Sequence, residues 1–169
     1  MKDNHTLTYI LFVVAQMILC NYFHFTPFVM LTILPVLVFF LPVRHGTASA
    51  MLIAFATGFA VDYFAEGTLG INALSLVPVA FVRRALIETI CGSEPFEHKE
   101  DITIRKYGFA KILLAVIIVQ SLFLAIYTGA DCAGTRPLWF ILARFGASLL
   151  ASVLVSMLIV KPLTNVDRR

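Results

Sequence analysis

The chain has 169 residues, of which 60% are hydrophobic and only 14% charged, and its mean hydropathy is +0.91. One soluble core cannot hide so much apolar surface at this length, so lipid is the solvent the composition implies. A net charge of +3 is too small to indicate nucleic acid as a partner.

A helix rising 1.5 Å per residue needs roughly 20 residues to cross about 30 Å of hydrocarbon. On that measure the sequence predicts an all-α, polytopic membrane protein. A single domain, 1–169, carries about six spans near 7–25, 28–43, 47–64, 69–82, 109–128 and 137–160. The first begins after Lys2. No small-x-small cleavage site follows it, and Leu19 precedes Cys20 where a lipoprotein signal needs a small residue, so it reads as an uncleaved span. Breaks fall at Thr26-Pro27, Arg44-His45-Gly46, Glu66-Gly67, across 83–108, and from Gly134 to Pro137. Pro35, Pro42 and Pro78 read as kinks or helix ends.

The fourth span is the short one. Fourteen residues give roughly 21 Å of helix, which leaves a re-entrant piece open as the alternative. Charge placement favours the full crossing. With the N-terminus inside, eleven of the thirteen basic residues lie on the cytoplasmic side, one (Arg136) outside and one (Arg144) within the sixth span. A non-crossing fourth segment gives at best nine against three, so the positive-inside rule selects six spans with both termini cytoplasmic. The largest aqueous stretch is then the cytoplasmic loop 83–108, either a solvated linker with a short interfacial helix at 84–91 or a docking surface for cytoplasmic partners. The external loops are too short for a catalytic domain.

Third-span residues Ala50, Ala54, Gly58 and Asp62 recur every four positions and so share a helical face, small side chains leading to a carboxylate. Such faces let helices approach closely in lipid. Ala143, Ala147 and Ala151 form a similar packing face in the sixth span, with Arg144, Ser148, Ser152 and Ser156 as a polar row beside it. Asp62 and Arg144 are the only charges well inside predicted spans, both toward the outer half. Because an unpaired charge in the membrane costs upward of roughly 2.5 kcal/mol, two arrangements follow. Either Asp62 and Arg144 pair, directly or through a polar network, or each snorkels separately to the outer interface. Gly67 and Gly70 suit a tight external turn with positive backbone angles, and Asn72 stands just inside the next helix.

Cys20, Cys91 and Cys132 are far apart without a CxxC pair, and His5, His24, His45 and His98 are scattered. The pattern predicts reduced cysteines, no metal and no cofactor. A serine–histidine, paired-aspartate or HExxH arrangement at membrane depth is missing from the sequence, so no catalytic residue is assigned and the chain reads as a non-enzyme.

The pattern Gly58-x-x-x-Asp62-x-x-x-x-Gly67-x-x-Gly70, with Ala73-Leu74 and Ala80-Phe81 after it, resembles the rod shape-determining MreD family. The Pro27-led second segment closing on Leu41-Pro42-x-Arg44 is similar too; spans five and six match in character alone. The resemblance implies a multi-pass protein of the bacterial inner (cytoplasmic) membrane, a non-catalytic scaffold of the cell-elongation machinery (the elongasome). It would act in cell shape and lateral peptidoglycan synthesis beside MreC, MreB and the RodA–penicillin-binding-protein pair. It also implies a helical fold similar to the S-components of energy-coupling-factor transporters. Gly58, Asp62, Gly67 and Gly70 are the motif positions carried over. A second function class follows from that fold likeness: a vitamin-like substrate-binding subunit of such a transporter, with its ligand near Asp62, Asn72 and Arg144. The first span carries Phe12, Gln16, Met17 and Tyr22 in place of the small-residue motifs a coupling subunit would use, which leans toward the scaffold.

Overall fold

A computed structural model describes residues 3–22, 29–43, 45–67, 69–92, 94–97, 102–132 and 137–165. The breaks expected at Thr26-Pro27 and Gly134, and the charges Lys2, Arg44, Lys99, Glu100, Asp101, Arg136, Arg168 and Arg169, lie outside the described residues. The described chain is helical without strands. In order it forms α1 (Asp3–Tyr22), α2 (Leu34–Phe39), α3 (Thr47–Val61), a π-helical turn (Asp62–Glu66), α4 (Ile71–Cys91), α5 (Glu94–Glu97), α6 (Ile104–Tyr107), α7 (Phe109–Asp131) and α8 (Leu138–Asn165). Among the described residues, three stretches are long and apolar enough to cross a membrane: Thr47–Ala65, Phe109–Asp131 and Leu138–Val160. Their outward faces are the kind that lipid covers. Leu142, Leu150, Leu154 and Leu158 of α8 are each about 70% exposed, far more contiguous apolar surface than water tolerates.

Two predicted spans differ from the helices that form. The helix of the fourth runs past 82: α4 is a single helix to Cys91, 21 residues long, so the first third of the expected loop 83–108 is helix. Arg84 and Glu88, one turn apart and paired at 2.9 Å, are compatible with that continuation. The second predicted span, 28–43, is not a through-helix. Residues 29–33 run without helical structure, and only six residues wind into α2. Pro35 gives the reason. It lacks an N–H for the Leu31 carbonyl and its ring clashes with that carbonyl in a helix, so the helix starts at Leu34 with proline in its first turn.

This broken segment sits at the centre of the bundle. Thr32 through Phe39 are buried, several of them completely. Its amide groups are met by side chains from three helices. Gln16 of α1 donates Nε2 to the Leu31 carbonyl at 3.1 Å and accepts the Ile33 N–H at 2.9 Å. From α8, Ser148 accepts from Met30 N at 2.9 Å, while Ser152 accepts from Thr32 N and donates to the Met30 carbonyl, both at 3.1 Å. Gln120 of α7 donates to the Thr32 carbonyl at 2.9 Å. The far end of α2 is held by Arg83 of α4, which gives Nε to the Phe39 carbonyl at 2.9 Å and Nη2 to that of Leu41. A cation at a helix C-terminus also meets the negative end of the dipole.

The α8 packing face is therefore the serine row. Ser148, Ser152 and Ser156 are completely buried, whereas Ala143 is exposed and Ala147 and Ala151 are half-buried, which corrects the alanine face expected for this helix. On α3 the expected face holds: Ala50, Ala54, Gly58 and Asp62 are all buried.

Gln16→Leu removes a donor and an acceptor from buried backbone, and leaving two such groups unmet costs about 2–6 kcal/mol. A lowered unfolding midpoint in detergent is the expected readout for this variant. Ala143→Leu, on an exposed face, leaves the midpoint where it is.

Candidate functional site

The motif residues gather where α3 meets α4. The helix of α3 widens at Asp62 into a π turn, with Gly67 N–H bonded to the Asp62 carbonyl at 2.9 Å, five residues back. Gly67 then takes φ +70° and Gly70 φ +98°, left-handed values that glycine adopts without a Cβ penalty. The chain thus reverses within a few residues and starts α4.

A helix start leaves its first N–H groups without partners, and Gly70 at the cap position has no side chain to offer. Asp62 supplies the cap from the preceding helix. Its Oδ2 accepts from Gly70 N at 2.9 Å and Ala73 N at 3.3 Å; its Oδ1 accepts from Asn72 N at 3.1 Å and Asn72 Nδ2 at 2.9 Å. Four donors and the positive end of the α4 dipole meet one completely buried carboxylate. One turn earlier, Gly58 lies against the same start of α4. A Cβ there would come within 2.6 Å of both Ala73 Cα and Ala73 N, so only glycine permits the approach. Gly58, Asp62, Gly67 and Gly70 form one device: a close helix crossing, a buried cap and the two left-handed residues of the turn. Asn72 Oδ1 is left without a hydrogen-bond partner.

Arg144 is elsewhere. Its Nη1 lies 2.5 Å from Asp131 Oδ2 and 3.5 Å from Cys132 Sγ, at the end of α7. This overturns the expected pairing, because Asp62 and Arg144 neither pair nor share a network, and Asp62 does not snorkel either, since its carboxylate is completely buried on the start of α4. The cause is the length of α7, which runs to Asp131, three residues past the predicted end of the span, and brings a carboxylate level with α8. Asp131 belongs to the site list that sequence reasoning missed, together with Gln16, Gln120 and Thr32. The glutamines had a visible signal: an amide in the middle of an apolar run generally seeks a partner across helices.

Cys20, Cys91 and Cys132 are buried thiols outside any disulfide. Among the described residues no group of three or more His, Cys, Asp or Glu side chains is placed to hold a metal ion. No family model, curated protein or solved structure matches the chain. Chemically, the hairpin centre is a fixed polar cap with its acid already committed, flanked by apolar surface. An apolar groove of about 500 Å³ runs beside it between α3 and α4, walled by Phe55 and Phe59 on one side and Leu74 and Pro78 on the other.

Two outcomes follow. Gly58→Ala must displace backbone and destabilises by about 1–3 kcal/mol, read as a fall in the detergent unfolding midpoint. Exchanging charges as Asp131→Arg with Arg144→Asp restores the stability lost in either single variant, while Asp62→Arg with Arg144→Asp does not.

Proposed function

We propose that the chain is a non-catalytic, multi-pass scaffold of the bacterial inner membrane that belongs with the MreD proteins in the cell-elongation machinery. Six segments lie at membrane depth: α1, the 29–43 segment, α3, the first two-thirds of α4, α7 and α8. Both ends and the stretch from Arg83 to Gly108 face the cytoplasm, where the basic residues concentrate. Exposed Tyr63, Phe64 and Trp139 fit an aromatic belt at the outer interface.

The observation that carries this reading is the commitment of Asp62. Both oxygens of the motif carboxylate are consumed by the amides of Gly70, Asn72 and Ala73, leaving the motif to shape a hairpin rather than to act on a substrate. What remains outward is apolar helix surface, suited to lipid and to the helices of other membrane proteins. MreC is the first partner proposed, with MreB and the RodA–penicillin-binding-protein pair beside it. The ligand-binding alternative draws on Asp62, Asn72 and Arg144 as one site, and the separation of Arg144 onto Asp131 weighs against it.

Depletion in the native bacterium, with microscopy and affinity purification in mild detergent, tests the reading. Rounded cells and co-purified MreC are the expected result; normal shape with a vitamin requirement would refute it. His98→Cys and Asn165→Cys should both resist an impermeant thiol reagent added to intact cells.

A further inference from the structure

At the end of the bundle where α3 begins there is a cavity of about 100 Å³, several times the 10–15 Å³ or so that one water occupies on this measure. Its wall includes His45, Gly46, Thr47, Arg83, Arg84 and Phe96, and no Asp or Glu side chain among the described residues lines it. Arg83 is 97% buried by its 3% exposure, positioned by the Phe39 and Leu41 carbonyls, and adds a fixed guanidinium charge. Arg84 lies over the Phe96 ring, 5.2 Å from its centroid. It also pairs with Glu88 on the outside, but that pair is 62% and 44% exposed and weakly held. His45 completes the basic set.

The backbone contributes as well. α3 is 15 residues long before its π turn, and no side chain caps its start. The first helical bond is Ala50 N–H to the Gly46 carbonyl, and Ser49 Oγ donates to that same carbonyl at 2.9 Å. Backbone N–H groups at the beginning of α3 are thus available beside two guanidinium groups and an imidazole. Together these donors suit a tetrahedral oxyanion.

The geometry points to a phosphoryl-binding site in this cavity, taking a group such as the phosphate of an anionic phospholipid or a free phosphate. It lies on the arginine-bearing side of the bundle, where the orientation proposed above puts the inner leaflet; it does not depend on the partners proposed there. Arg83 and Arg84 supply charge, His45 a further donor, and the α3 amides the directed hydrogen bonds.

Gly46 provides a test that keeps the protein folded. Its backbone, at φ −62° and ψ 162°, has the ordinary geometry of a helix cap, and an added Cβ meets nothing within 4 Å. Gly46→Asp puts a carboxylate in the site, whereas Gly46→Asn caps the helix without charge. The full chain is purified in uncharged maltoside detergent and unfolded thermally in inorganic phosphate against chloride of equal ionic strength. In parallel, native mass spectrometry counts phosphatidylglycerol retained over phosphatidylcholine from mixed vesicles. Phosphate should raise the wild-type midpoint, or phosphatidylglycerol should be retained selectively, the two arms separating a free anion from a headgroup. Gly46→Asp should weaken the apparent affinity by about tenfold or more, the equivalent of one charge-assisted contact, and Gly46→Asn by less. Equal responses in wild type and Gly46→Asp, or no response in either arm, would overturn the site while leaving the scaffold reading intact.

Discussion

Between Met30 and Leu34 the backbone leaves the helix, and in apolar surroundings each of its amide groups must find a partner or forfeit the full cost of desolvation. Gln16, Gln120, Ser148 and Ser152 provide those partners from α1, α7 and α8. A helix hydrogen-bonded only to itself can slide or rotate against its neighbours at small cost. A broken one cannot, because its carbonyls and N–H groups are keyed to particular side chains. The register of α1, α7 and α8 around the centre follows from that keying, and Arg83 closes the same logic at the end of α2.

The α3–α4 hairpin solves a related problem in a different way. Its turn needs two left-handed residues, and a glycine at the helix start leaves the amides of α4 bare. Asp62, one π-helical turn upstream, is placed to cap them. Widening the helix at Asp62 lets the carboxylate stay inside while Tyr63 and Phe64 turn outward. A charged group that would be expensive in the membrane becomes inexpensive when four N–H donors share it. The same reasoning explains Arg144, which is held by Asp131 at the end of the neighbouring helix, 2.5 Å away.

The apolar outer faces of α7 and α8, the fixed hairpin and the committed polar groups are mutually consistent. They describe a protein whose internal polar groups hold its own backbone and whose exterior is apolar helix surface of the kind lipid covers. In the basic cavity by Gly46, the start of α3 and the side chains of His45, Arg83 and Arg84 share one wall, Arg83 being held in place by the Phe39 and Leu41 carbonyls.

By itself, the sequence determined the membrane character, the all-helical class, the small-residue face of α3 and the glycine turn, because composition, four-residue spacing and glycine's tolerance of positive φ are local properties. It also marked Asp62 and Arg144 as charges needing partners. Only the tertiary structure decided which partners they take, since that depends on how far α7 extends and which helix lies beside it. The interruption at 29–33 was visible only as Pro35 in a hydrophobic run. That it becomes a buried, hydrogen-bonded centre rather than a kinked span required glutamines and serines from remote helices to converge on it. No periodicity along one segment records that convergence. Ser148 and Ser152 show the same division: their spacing is written in α8, but their role belongs to the backbone they meet.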